Sequence, residues 1–193
     1  MRRLPCLIRR IGQGIVICAA LASASVGAFD SAVPPQSAVG TLQPAFAPWD
    51  DIEGLIVENL AMAKNQVLVQ AYLLSNQKIV DALIAAKRRR VDVRVLVDGR
   101  QMEQVGASKA AALAAADVPV WLETRYQNAH NKVIVIDPDA TDATVITGSF
   151  NFTWSAQHKN AENILIARKN PALAARYALN WERHRQDAIP YTK

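Results

Sequence analysis

The sequence predicts an α/β fold: a mixed β-sheet with helices packed on both faces. Three observations carry this. Between residues 50 and 122, helix-period segments alternate with short strand-like runs, the pattern of βαβ units. Val133-Ile134-Val135-Ile136 is apolar on both strand faces and so needs cover on both sides. After residue 130, three strand-like runs follow one another with little helix between them, which adds antiparallel members to the sheet.

The elements follow in order. Arg2, Arg3, Arg9 and Arg10 precede an apolar, small-residue run from Ile15 to Val26, and Val26-Gly27-Ala28 supplies a small-residue cleavage point. Residues 1–28 therefore have the form of a secretory signal peptide, and the run is shorter than the roughly 20 residues of a spanning helix. Both cysteines, Cys6 and Cys18, lie in that segment, so the mature chain is expected to carry no disulfide. The formal charge of +5 falls to +1 once its four arginines, with no acidic residue beside them, are set aside. The basic character is mostly a targeting feature and is no argument for nucleic-acid binding. A periplasmic or secreted protein without stable membrane insertion is expected.

Residues 29–48, with Pro34, Pro35, Pro44 and Pro48, are expected to form an extended leader, since proline disfavours helix and strand alike. A domain at 49–187 and a tail at 188–193 follow. Within the domain, helices are expected over 52–65, 77–90, 108–116 and 171–185, the last opened by Pro171. Strands are expected over 67–72, 91–97, 119–122, 132–136, 144–147 and 163–167. There is no internal repeat.

Residues i and i+2 of a strand share a face, so His130 and Lys132 project together, as do Ser149 and Asn151. The Asp- and Pro-rich stretch 137–143 is expected to turn one strand back onto the next. Pairing brings an imidazole, an ammonium, a hydroxyl and a carboxamide to one end of the sheet. That set suits a phosphate diester: one atom attacks phosphorus while donors hold the non-bridging oxygens. Asp137 has the opposite parity and is expected to serve structure or charge balance. The acids of 137–142 lack the glycine and terminal Glu of a calcium loop, and no metal or cofactor is expected.

The joint pattern resembles the His-x-Lys-x4-Asp signature of the phospholipase D superfamily with its downstream Gly-Ser-x-Asn, here Gly148-Ser149-Phe150-Asn151. Glu162-Asn163 follows at the distance seen in the superfamily's small exported bacterial endonucleases, and the likeness extends over residues 46–187. The resemblance implies a site of His130, Lys132, Asp137, Ser149, Asn151 and Glu162. In it His130 attacks phosphorus to give a phosphohistidine. Lys132 and Asn151 hold the non-bridging oxygens with Ser149 supporting them, and Glu162 accepts a hydrogen bond from the far nitrogen of His130. A second histidine must serve the leaving oxygen. His158 and His184 are the internal candidates, yet neither has a lysine two residues on. The resemblance implies instead a homodimer in which two chains each contribute one His130.

The signature fixes chemistry better than substrate. DNA or RNA is the leading expectation, through the likeness to the small nucleases. Phospholipid is the alternative, and a non-catalytic nucleic-acid-binding protein stands behind both. Lys87-Arg88-Arg89-Arg90, with Arg94, Arg100 and Arg125, offers local positive charge for a phosphate backbone, or else a solvated helix end. Phe150, Phe152 and Trp154 flank the signature and suit either base stacking or core packing.

Overall fold

The computed structural model describes residues 33–192, so the expected signal peptide at 1–28 lies outside the described residues. The folded unit begins at Gln36. Its eight strands are β1 (Thr41–Ala47), β2 (Gln66–Ala71), β3 (Asp92–Asp98), β4 (Val120–Glu123), β5 (Lys132–Ile136), β6 (Thr144–Gly148), β7 (Glu162–Arg168) and β8 (Ile189–Pro190). They form one sheet in the order β1-β7-β6-β5-β2-β3-β4-β8. β2, β3 and β4 run parallel, and all other pairings are antiparallel.

The helices are α1 (Ile52–Met62), α2 (Gln77–Arg88), α3 (Gly99–Gln101), α4 (Ala107–Ala115), α5 (Trp154–His158) and α6 (Pro171–Gln186), with a π-helical stretch, Met102–Gly106, joining α3 to α4. Each of four helices starts on a side-chain cap: Asp51 for α1, Asn76 for α2, Thr153 for α5 and Asn170 for α6, which bond the amides of Gly54, Ile79, Ala156 and Leu173.

Strand alternation divides the core. Val67, Val69, Ala71, Val93, Val95, Ile134 and Ile136 face a large cluster shared with α1, α2 and α4. Leu68, Leu96, Val133, Val135 and Val145 face the opposite way, onto α6, where Trp181 is buried and donates Nε1–H to Val69 O at 2.8 Å. Helices thus cover both faces, as the two-sided strands require. α6 packs over β2 to β6 and stops short of β7 and β1. Leu42, Pro44, Phe46 and Leu165 on that uncovered part of the face remain exposed.

Two expected boundaries are corrected. Thr41–Ala47, assigned to the leader, is an edge strand paired along its whole length with β7. Its Pro44 is tolerated because an edge strand needs ladder hydrogen bonds on one side only. Ile189–Pro190, assigned to the tail, pairs with Trp121 and Leu122, and Tyr191 N bonds Val120 O at 2.9 Å. Two residues are too few for a strand signal in the sequence.

Candidate active site

The sheet order sets the site. β5 starts where β6 ends and β7 begins, so residues 130–132, 148–151 and 162–163 converge on one sheet edge. β6 stops at Gly148, after which the amides of Ser149 and Phe150 both bond Asn163 O, at 3.1 and 3.3 Å. A Cβ on Gly148 would lie 2.2 Å from that carbonyl, so only glycine permits this approach. Phe150 and Phe152 are buried and anchor the segment in the core, with Ser149 exposed before them and Asn151 half-buried between them. The aromatics divide: the two phenylalanines are packing residues, whereas Trp154 is 54% exposed.

His130 precedes β5 and is held from two directions. The Tyr72 ring lies against the imidazole, centroids 4.3 Å apart. The buried Asp98, at the end of β3, accepts from Ala129 N at 2.8 Å and from Gln101 N at 2.9 Å, so one carboxylate fixes both the residue before His130 and the start of α3. Sequence reasoning missed Asp98 and Tyr72, because their partners are set by strand order alone. Lys132 Nζ donates to His130 O at 2.9 Å, stands 2.9 Å from His130 Nδ1, and lies 4.9 Å over the Tyr72 ring. Burial pushes the Lys132 pKa down to about 8, against an opposing pull from the Glu162 charge. An ammonium has no lone pair, so with Lys132 charged Nδ1 is the acceptor and the imidazole proton sits on Nε2.

Glu162 does not take the partner expected for it. Its Oε2 accepts from Ser149 Oγ at 2.6 Å and its Oε1 from Asn160 Nδ2 at 3.0 Å. Among the described residues it makes no hydrogen bond to His130. Each oxygen has one partner elsewhere, and Lys132 stands at Nδ1. Ser149 Oγ also accepts from Asn163 N at 3.1 Å, which locks the Ser149–Glu162 pair to β7. Among the described residues, the buried Asn151 Oδ1 has no hydrogen-bond partner.

Asp137 lies at the other end of β5, about 20 Å from His130 at ~3.3 Å per residue. Its carboxylate accepts from the amides of Lys64, Asn65 and Gln66 at 2.9, 2.7 and 2.8 Å. It is a backbone clamp, consistent with its parity. Residues 87–90 and Arg94 sit at that far end, beside the start of β3, whereas Arg100 and Arg125 follow the ends of β3 and β4, on the His130 side of the sheet. At the far end Arg89 donates to the last carbonyls of α1, Leu60 O at 2.9 Å and Ala63 O at 3.3 Å, and Arg94 pairs with Asp92 at 2.9 Å. Neither faces His130. The other histidines are engaged elsewhere: His184 with the buried Glu123 at 2.5 Å, and His158 against Trp154 at 4.6 Å. Among the described residues, no group of three or more His, Cys, Asp or Glu is placed to hold a metal ion. No helix among them is long and apolar enough to cross a membrane.

The chain matches the family model "Cardiolipin synthase, PLD-like domain" over residues 56–185. It is 37% identical over 136 residues to a phospholipase D of Rickettsia prowazekii, covering 70% of this chain but only 63% of that protein. A mitochondrial cardiolipin hydrolase of Xenopus laevis is 34% identical over 105 residues, covering 54% of this chain and 47% of that protein. Among solved structures, Nuc from Salmonella typhimurium, a phospholipase D family member, superposes with a TM-score of 0.76 at 29% identity, over 80% of this chain and 100% of Nuc. NucT from Helicobacter pylori shares the fold, with a TM-score of 0.71 at 16% identity over 79% of this chain and 100% of that one. The family model spans most of the chain, and with these relatives it establishes that the protein belongs to the phospholipase D superfamily.

Proposed function

We propose that this protein is a phosphodiesterase of the phospholipase D type, and specifically an endonuclease that cleaves DNA or RNA without metal. The observation that carries the reading is the Lys132–His130 contact, a buried ammonium 2.9 Å from an imidazole nitrogen at the edge where Ser149, Asn151 and Glu162 converge. Attack by Nε2 needs the imidazole proton on Nδ1. Lys132 must therefore leave Nδ1 for a non-bridging phosphate oxygen, joined there by Asn151. Nε2 then displaces the leaving oxygen in line, giving a phosphohistidine, while a second imidazole protonates that oxygen. The same imidazole, now neutral, takes a proton from the water that releases the phosphate.

The second imidazole comes from His130 of a second copy. His158 and His184 are engaged elsewhere, and the uncovered apolar strip of Leu42, Phe46 and Leu165 gives a homodimer a surface next to the site. Likeness to Nuc over all of that chain favours the nuclease. The rickettsial relatives, named phospholipase D, favour a lipid substrate as the second reading. The test incubates mature protein and its His130→Ala variant with plasmid DNA and with phosphatidylcholine vesicles, each in EDTA. The reading requires cleavage of DNA by wild type alone. Loss of all activity on chelation, or turnover of lipid only, overturns it.

A further inference from the structure

Beside the signature residues is a cleft of about 450 Å³ that the mechanism above does not use. Its lining includes the rings of Trp49 and His158 with Lys78, Gln157, Asp50 and Asp51. Its position follows from register: Ala47 pairs with Glu162, so Trp49 stands just beyond the strand end that touches Glu162, and His158 belongs to the helix that follows Asn151. Trp49 is 83% exposed, the most exposed large apolar side chain among the described residues. Trp154 lies against His158, ring centroids 4.6 Å apart, and Lys159 Nζ lies 5.3 Å over the Trp154 ring, so His158 is backed by a second ring with a cation beside it.

The polar groups of the cleft are already ordered. Gln157 accepts from Glu53 N at 3.0 Å and donates to Asp50 O at 2.9 Å, and Lys78 pairs with the buried Glu53 at 2.5 Å. Asp50 uses Oδ2 on Phe46 N and Asp51 uses Oδ1 on Gly54 N, each at 2.8 Å. Among the described residues the second oxygen of each carboxylate has no hydrogen-bond partner. Aromatic walls with free carboxylate acceptors fit a flat ring that bears amino groups. They do not fit a phosphate, which the carboxylates repel, nor an acyl chain, whose surroundings would desolvate them. Lys78 is neutralised by Glu53, so a cationic headgroup is the competing occupant, and the phosphatidylcholine arm of the test reads it.

We propose that the cleft between Trp49 and His158 is a nucleobase pocket, which holds a base of the substrate strand next to the phosphate presented to His130. This rests on the nuclease reading and adds to it a base-binding subsite that favours amino-bearing bases over thymine.

The experiment compares wild type with Trp49→Ala and Trp154→Ala on three substrates: single-stranded dC and dT oligonucleotides and bis(4-nitrophenyl) phosphate, which has no base. The proposal expects a lower KM for dC than for dT in wild type. Alanine loss of one stacked base is worth about 1–3 kcal/mol, so Trp49→Ala should raise the oligonucleotide KM roughly 5- to 150-fold. Both variants should hydrolyse the small diester at the wild-type rate, which also shows that they fold. Unchanged oligonucleotide KM in Trp49→Ala, equal wild-type KM for dC and dT, or a parallel fall on the small diester overturns the pocket. So does a variant that loses only phosphatidylcholine vesicle turnover. If wild type hydrolyses the small diester but neither binds nor cleaves oligonucleotides, the nuclease reading has failed as well. If wild type cleaves them and Trp49→Ala does so equally, only the pocket has failed.

Discussion

Replacing Asp137 by alanine separates a structural from a chemical role for the acid of the signature. The carboxylate is 5% exposed and accepts three backbone amides from the α1–β2 connection. Hydrogen bonds to a charged group contribute about 1.5–3 kcal/mol each. Lys64 and Asn65 are exposed, so water can take over part of what is lost, which brings the sum to about 3–4 kcal/mol. Asp137 also sits at φ 48°, a left-handed conformation that alanine tolerates less well than Asp or Asn, adding about 1 kcal/mol. Asp137→Asn keeps one acceptor oxygen and the φ preference, and should cost about half as much. Urea unfolding followed by circular dichroism gives the stability loss, and steady-state hydrolysis of bis(4-nitrophenyl) phosphate well below the transition gives kcat. The reasoning requires a large fall in stability with kcat within a few-fold of wild type. A thousand-fold loss of kcat at unchanged stability would refute it and place Asp137 in the chemistry.

Other outcomes follow from the site. Because Lys132 titrates near 8 in the folded protein and must be charged to hold phosphate, kcat/KM should decline as pH rises through about 8. A flat profile to pH 10 would contradict this. The same lowered pKa means the unfolded chain binds more protons than the native one between about 8 and the ordinary lysine value. Stability should therefore rise with pH across that window, and Lys132→Met should remove the rise in pH-dependent denaturation. Leu165→Asp, on the uncovered strip where Leu165 is 38% exposed, should dissociate the proposed homodimer in sedimentation velocity and abolish turnover while leaving the fold intact. Gly148→Ala forces a Cβ toward Asn163 O and should cost at least ten-fold in kcat, with circular dichroism unchanged in shape.

The fold was legible where the hydrophobic period was regular. β2, β3, β5, β6 and β7 and the four long helices fall within a few residues of their expected positions, since apolar runs such as Val133–Ile136 can be satisfied only by cover on both faces. β1 was hidden because Pro44 reads as a strand breaker, and only the neighbouring β7 reveals that the edge tolerates it. The site was legible as a set of residues, because their spacing sets them at the adjoining ends of β5, β6 and β7. Their partners were not. Glu162 bonds Ser149 and not His130, and Asp98 reaches Ala129 across 31 residues, a relation fixed by the order of β3, β2 and β5. The basic run at 87–90 was misleading for the same reason: it lies at the sheet edge away from His130, with Arg89 spent on the carbonyls of α1.

Asp98 ties the loop that carries His130 to the first turn of the segment running from α3 through the π-helical stretch into α4. Insertions or deletions near that turn would be felt at His130 through a single carboxylate. The connection after Asp137 is anchored at the opposite end of β5, and its length can change without moving the reacting groups. The two sheet edges therefore differ in evolutionary freedom. Divergence in this lineage should collect in loop length at the Asp137 edge and be confined to side-chain replacement at the His130 edge.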